Sequence, residues 1–198
     1  QPFYGDPRHQ LDSVLERFSA RGWRPVVAIE LEFYFVDPER TADGHAKPPR
    51  SRLTGRRENR TQINSMADLD SVSDILAEIA ATCGEQDVPT GTALAEYGPN
   101  QWEVNLRHVA DARRACDQAI RFKRIVKGVA LKNGLEATFM AKPYGDMAGS
   151  GMHIHVSVQD AAGQNVFASA DTLGNDLLKQ AAAGLIEDGP GGVKALLS

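Results

Sequence analysis

The sequence predicts an α+β fold, and three observations carry that expectation. Some segments alternate strictly by two, others repeat apolar residues at helical spacing, and no regular βα rhythm joins them. Alternation is clearest in Ala28-Ile29-Glu30-Leu31-Glu32-Phe33-Tyr34-Phe35. It sends Ile29, Leu31, Phe33 and Phe35 to one face of a strand and Glu30 and Glu32 to the other, the two carboxylates about 6.5–7 Å apart along it. Such a pair is a place to hold divalent cations, although an exposed strand face also carries acids simply to stay in water.

Asp6-Pro7 reads as an N-cap followed by proline at the first helical position, and Leu11, Val14, Leu15 and Phe18 continue a helix until Gly22. After the acidic strand, residues 37–60 dissolve into Pro, Gly and seven basic residues: Arg40, Lys47, Arg50, Arg52, Arg56, Arg57 and Arg60. A stretch of that length is a functional flap or an insertion, and its charges either grip phosphates or are simply solvated. Val72, Ile75, Leu76, Ile79 and Cys83 trace an amphipathic helix ending near Gly84. Two short strands flank the turn Gly98-Pro99-Asn100. A long helix over about 111–133 is expected to bury Ala112, Cys116, Ala119, Ile120, Val126 and Ala130 before stopping at Gly134.

Residues 135–140 read as a strand, 142–150 as a glycine-rich loop, and 151–158 as a second strictly alternating strand. Residues 160–164 form a hairpin turn, and a last helix runs over about 175–186 until Gly189-Pro190-Gly191-Gly192 breaks it.

The chain has 198 residues, 42% of them hydrophobic and 24% charged, which suits a globular core in one or at most two domains. Its 22 basic and 26 acidic residues give a net charge of -4. That balance argues against a nucleic-acid or anionic-membrane surface and remains compatible with a small anionic ligand such as ATP. Cys83 and Cys116 lie far apart in helical segments, so neither a disulfide framework nor a metal knuckle is expected; both read as core residues, and the compartment as cytoplasmic. No apolar run approaches a membrane span. The chain opens on Gln1 and reads as cut from something longer.

Two further segments bear on the acidic strand. In Glu96-Tyr97-Gly98-Pro99-Asn100-Gln101-Trp102-Glu103-Val104-Asn105-Leu106, alternation turns Trp102, Val104 and Leu106 to a core. Gln101, Glu103 and Asn105 face the other way, and the turn can fold Glu96 back beside Glu103. In Gly149-Ser150-Gly151-Met152-His153-Ile154-His155-Val156-Ser157-Val158, the residues His153, His155 and Ser157 share one face against Met152, Ile154, Val156 and Val158. Four carboxylates with one imidazole select Mg²⁺ or Mn²⁺ over zinc, and two such ions suit phosphoryl transfer.

These motifs come in a familiar order. Glu-x-Glu before aromatic residues, Glu-x6-Glu around Gly-Pro-x-Gln, and Thr138-Phe139-Met140-Ala141-Lys142-Pro143 leading to Gly149-Ser150-Gly151-Met152-His153-x-His155 resemble the glutamine synthetase superfamily from Val27 to Val158. The resemblance implies a curved antiparallel sheet backed by helices, part of a catalytic domain. It makes Glu32, Glu96 and Glu103 ligands of one metal and Glu30 with His153 ligands of the second. His155 and Ser157 fall on positions that contact ATP, and Gly149 on one that meets the glutamate substrate. The implied activity is an ATP-dependent ligation of the γ-carboxylate of glutamate to an amine or ammonia through a γ-glutamyl phosphate.

The departures from the family pattern point to an acceptor other than ammonia. Ala148 stands where such enzymes have Asn, Asn64 where an aromatic residue lines the amine pocket, and His108 where Phe or Tyr stacks on adenine. They favour the γ-glutamylpolyamine or γ-glutamylamide synthetase branch. The resemblance further implies that the family's N-terminal β-grasp domain and the C-terminal part of its catalytic domain lie outside this chain, which would be inactive alone and homo-oligomeric when full length. The alternative is a non-catalytic structural or regulatory relative, and a metal-dependent hydrolase is a third reading.

Overall fold

The alternation at the acidic segment produces one long strand, β1 (Arg24–Val36), on which the sheet is built. In the computed structural model, which describes residues 3–57 and 61–187, the sheet order is β2-β3-β1-β4, with β5 also paired to β1. β2 (Thr90–Ala95) and β3 (Gln101–Leu106) form the hairpin expected around Gly98-Pro99-Asn100. β4 (Glu136–Thr138) is shorter than its apolar run, and β5 (Met152–Gln159) follows the glycine loop. β1 runs antiparallel to both β3 and β4. The fold is thus the mixed helix-and-strand class expected, with an open antiparallel sheet.

The chain packs as two compact units. The first takes the chain up to Ala28, His108–Asp117 and the chain from Ile154 onward; the second takes Ile29–Arg107 and Gln118–His153. In the second, Phe33, Phe35, Trp102 and Phe122 are buried together, Phe33 edge-on to Phe35 at 5.4 Å and to Phe122 at 6.2 Å. Phe122 belongs to α4 (Ala112–Lys132), so this contact seats the helix on the apolar face of β1. α3 (Ser73–Glu85) adds Ile75, Ile79 and Cys83 to the core, and Glu78 ties it to Lys132 and Asn133 at the end of α4. A short helix that the apolar spacing does not signal, α2 (Met66–Ser71), is capped by Ser65, whose hydroxyl accepts from the Asp68 N–H at 3.3 Å.

α4 corrects one expectation. Cys116 and Ile120 are exposed, and Ala115, Phe122, Ile125 and Val129 are buried in their place. Steps of four residues advance about 40° around a helix beyond a full turn, so the track 112-116-120 walks off the buried face that mixed steps of three and four follow. Cys83 is a core residue, as expected; Cys116 is not.

In the first unit, α1 (Pro7–Ser19) starts as its sequence dictates, Asp6 accepting from the Arg8 N–H at 2.9 Å with Pro7 at the first position. Arg8 pairs with Asp117 and Asp12 with Arg113. The 160–164 turn closes through the Asp160 N–H to the Gln164 carbonyl at 2.9 Å, and α5 (Asp176–Glu187) follows. The expected breaker 189–192 lies outside the described residues. The apolar face expected of β5 is only partly covered: Val158 is buried, whereas Ile154 and Val156, and Met152 in the second unit, are about half exposed. Among the described residues no helix is long and apolar enough to cross a membrane.

Five of the six described cations of the basic loop contact other groups of the protein. Arg57 pairs with Asp37 at 2.6 Å and also donates to the Pro48 carbonyl, Lys47 pairs with Glu39 at 2.9 Å, and Arg52 with Asp74 at 2.6 Å. Arg40 reaches Glu136, and Arg50 donates to the Gly55 carbonyl at 3.2 Å. The ion-paired side chains of this loop stay partly exposed to solvent. Arg60 lies outside the described residues.

Candidate metal centre

Strand register decides which acids meet. β1 and β3 pair with Glu32 opposite Glu103, Glu30 opposite Asn105 and Tyr34 opposite Gln101, so the polar faces of both strands coincide. Two carboxylates directly opposite each other in a ladder repel, a cost that sequences avoid unless a cation or a proton offsets it. β2 pairs Leu94 with Glu103, which places Glu96, two residues on, on the same face. The turn then folds back through the Glu96 N–H donating to the Gln101 carbonyl at 2.9 Å.

The result is two overlapping groups of donor atoms, each within 4.8 Å of one another: Glu32, Glu96 and Glu103 in one, Glu30, Glu103 and His153 in the other. The resemblance divides these five residues between two ions; the geometry adds that Glu103 stands in both groups. His153 Nδ1 lies 3.2 Å from Glu30 Oε2. Glu103 is only 7% exposed, and burial, reinforced by Glu30, Glu96 and Glu32, pushes its carboxyl above the ordinary range. Glu96 is raised likewise, first by burial and then by Glu32. Four carboxylates that repel one another, partly withdrawn from water, together with one imidazole make a donor set that suits a hard divalent cation such as Mg²⁺ or Mn²⁺.

Around these acids lies a set of neutral polar residues that the alternation puts on the right face but does not single out. Gln101 donates from Nε2 to Glu32 Oε2 at 2.7 Å and to the Gly149 carbonyl at 2.8 Å. Its Oε1 accepts from the Gly98 N–H at 2.9 Å. With its amide nitrogen turned to the carboxylates, Asn105 donates to Glu30 Oε1 at 3.0 Å and Glu103 Oε1 at 3.3 Å. The Tyr34 hydroxyl sits 2.9 Å from Gln101 Oε1 and 2.8 Å from the Ala148 carbonyl, and its burial raises its pKa. Their signal in the sequence was parity: positions 34, 101 and 105 share the face of 30, 32 and 103.

Glycine is required twice here because of close approach. A Cβ on Gly151 would stand 2.7 Å from Glu32 Oε1, and one on Gly98 would collide with the Tyr34 hydroxyl. Gly149 lies in the same loop, its carbonyl held by Gln101. His155 and Ser157 belong to the first unit, where the exposed His155 ring is 6.3 Å from that of His108. Asn64 adopts φ 57°, a left-handed conformation that suits Asn better than an aromatic residue, and its N–H donates to the Ala95 carbonyl at 2.8 Å.

Comparison with known proteins places this geometry. Residues 4–195 match the family described as glutamine synthetase, catalytic domain. The chain is 42% identical over 186 residues to gamma-glutamylputrescine synthetase PuuA of Escherichia coli (strain K12), covering 94% of this chain and 39% of that protein. It is 34% identical over 174 residues to a glutamate–isopropylamine ligase of a Pseudomonas species, covering 88% of this chain and 37% of that one. A solved structure of GmaS with ADP superposes with a TM-score of 0.79 at 30% identity, over 94% of this chain and 41% of the other. The chain thus spans about two fifths of the length of the relatives it matches. Given a match across nearly its whole length and the carboxylate-lined sheet that accompanies it, the chain belongs to the glutamine synthetase catalytic-domain family.

Proposed function

We propose that this chain carries the metal-binding core of a ligase that uses ATP to join the γ-carboxylate of glutamate to an amine. The observation that carries the reading is the pair of overlapping donor groups sharing Glu103 on one sheet face. In this reading Glu32, Glu96 and Glu103 hold one Mg²⁺ or Mn²⁺, and Glu30 with His153 holds the second, Glu103 standing near both. Bound there, the cations would offset the repulsion between the γ-carboxylate of glutamate and the γ-phosphate of ATP as γ-glutamyl phosphate forms. His155 and Ser157 contact ATP, and the backbone at Gly149 meets glutamate. Gly151 keeps the loop backbone close to Glu32, and Asn105, donating to one oxygen of Glu30 and one of Glu103, restrains both carboxylates.

An amine larger than ammonia, of the polyamine kind, is supported by the relatives that ligate putrescine and isopropylamine and by Asn64, whose left-handed backbone disfavours an aromatic wall. The protein works in the cytoplasm as a homo-oligomer. The 198-residue chain by itself binds the cations without turnover, because a phosphoryl group in transfer needs positive donors and the loop's Arg40, Lys47, Arg52 and Arg57 are committed to ion pairs.

Titration of the chain with Mn²⁺, followed by the electron paramagnetic resonance of the free ion, tests the core of this reading. Two ions per chain are expected, and strong losses in Glu32→Gln and Glu103→Gln. A wild-type chain that binds no Mn²⁺, or variants that bind it as tightly as wild type, would refute the metal centre. Glutamate-dependent and amine-dependent release of phosphate from ATP by protein carrying this chain tests the ligase.

A further inference from the structure

We infer that Gln101 is a positioning residue that ties the Glu32 carboxylate to the backbone of the glycine loop, so that cation binding and ordering of residues 148–151 are coupled. The inference rests on the metal reading of the same face.

Gln101 is 2% exposed, and its amide has no spare bonding capacity facing the acids. Both N–H groups of Nε2 are used, one on Glu32 Oε2 at 2.7 Å and one on the Gly149 carbonyl at 2.8 Å. On the other side Oε1 receives the Gly98 N–H at 2.9 Å and faces the Tyr34 hydroxyl at 2.9 Å. Only one amide orientation satisfies these partners. Turned over, Oε1 would face a carboxylate and a carbonyl, and Nε2 would face an N–H. The side chain is therefore a fixed bracket between a strand carboxylate and a loop carbonyl.

A second link runs in parallel. The Glu32 N–H donates to the Gly151 carbonyl at 3.1 Å, and Gly151 lies against Glu32 Oε1. The Tyr34 hydroxyl, 2.8 Å from the Ala148 carbonyl, has one proton to share between that carbonyl and Gln101 Oε1. The loop carbonyls at 148, 149 and 151 thus all engage Glu32, Gln101 or Tyr34. With Oε2 held by Gln101, Glu32 keeps Oε1 for a cation and gives up little side-chain freedom on binding it. Whatever holds that carboxylate in place holds the bracket and hence the loop, and linkage makes the effect reciprocal.

The test uses the chain with Gln101→Met, which keeps the length and removes the amide, and Tyr34→Phe, which removes only the hydroxyl. Gln118→Met is the control, since Gln118 is equally buried and donates to the Asp87 carbonyl at 2.9 Å. Mn²⁺ affinity and amide hydrogen exchange of residues 148–151 are read with and without the ion. Gln101→Met is expected to weaken Mn²⁺ binding by about 10–100-fold. It should also abolish the slowing of loop exchange that Mn²⁺ produces in wild type. Tyr34→Phe speeds loop exchange with a smaller loss of affinity, and Gln118→Met lowers the melting temperature without changing either readout.

If Gln101→Met binds Mn²⁺ as wild type does, or Mn²⁺ leaves wild-type loop exchange unchanged, the positioning role is wrong while the metal centre stands. A wild-type chain that binds no Mn²⁺ removes both. Should Gln101→Met fail to fold, Tyr34→Phe decides by its loop exchange: rates equal to wild type overturn the bracket.

Discussion

Replacing Glu103 with Gln should make the cation-free protein more stable and the Mn²⁺-loaded protein less so, a crossing that no purely structural role for this residue produces. Glu103 is buried, and donor atoms of Glu30, Glu32 and Glu96 lie in the two groups it shares, each within 4.8 Å. At an effective dielectric of 20, two unit charges 4.8 Å apart repel by about 3.5 kcal/mol. Screening at the more exposed partners and partial protonation reduce the net to about 1–3 kcal/mol. For a chain of this size that is a rise in melting temperature of about 3–9 °C. Gln retains an oxygen for the Asn105 amide, so the neutral variant loses little else.

With the cation the sign reverses. At a Mn²⁺ concentration 100 times the dissociation constant, wild type gains about 2.7 kcal/mol, and a variant bound 100-fold more weakly gains about 0.4 kcal/mol. Thermal melts over a Mn²⁺ series measure both effects. The pH dependence is a third readout. Burial and neighbouring acids raise the carboxyls of Glu103 and Glu96 above their ordinary 4.5, so in that window the folded state holds more protons than the unfolded one. Stability without cation is therefore fullest below about 4.5 and falls as pH rises through the raised folded values. The Glu103→Gln variant should show a shallower fall. A cation-free melting temperature below wild type, or an undiminished Mn²⁺ shift, would refute the argument.

Other expectations follow from single contacts. Gly151→Ala places a Cβ 2.7 Å from Glu32 Oε1, so it should cost about 1–3 kcal/mol in thermal melts and weaken Mn²⁺ binding, an outcome excluded if titrations match wild type. Burial pushes the Cys83 thiol up to about 11, and the side chain has no solvent exposure; iodoacetamide at about pH 8 should label Cys116 in the folded chain and reach Cys83 only on unfolding, as peptide mass mapping would read. On the proposed function, protein carrying this chain is expected to favour a primary amine with a carbon chain over ammonia, and steady-state kinetics in which ammonia equals or exceeds every amine in kcat/KM would overturn that. Asn64→Tyr should lower the melting temperature, because a bulky residue at φ 57° costs about 1–2 kcal/mol.

How much of this was legible in the sequence depends on the range of the physics involved. Parity along a strand is local, so the alternation by itself assigns Glu30, Glu32, Glu103 and His153 to polar faces, just as recurring apolar residues mark the helices. Register is not local. That Glu32 faces Glu103 rather than Asn105 follows from how β1 and β3 slide past each other, and a shift of one residue would have turned one face away from the other. The sharing of Glu103 between both donor groups, and the bracket at Gln101, exist only once that register is set. Motif resemblance pointed to five candidate ligands and carried Gln101 within its pattern without giving it a role, because a glutamine beside a glutamate looks like any polar strand position until its partners are known.

The misreadings have the same origin. In α4 the sequence reading buried Cys116 and Ile120, whereas the helix turns Ala115 and Phe122 inward, Phe122 meeting Phe33 of β1 at 6.2 Å. For the basic loop, whose cations are close in sequence, the sequence left open whether its charges grip phosphates or are simply solvated. Its acids at Asp37, Glu39, Asp74 and Glu136 are partly distant, and the pairs they form convert a run of positive charge into structural ties. On the sheet the charge is negative: burial first, then Glu30, Glu96 and Glu32 for Glu103 and Glu32 for Glu96, raises both carboxyls above their ordinary range. Glu103, buried and within 4.8 Å of donor atoms on Glu30, Glu32, Glu96 and His153, thus joins two groups whose oxygen-rich chemistry suits a hard divalent cation, and that shared carboxylate is where the proposed centre is most exposed to test.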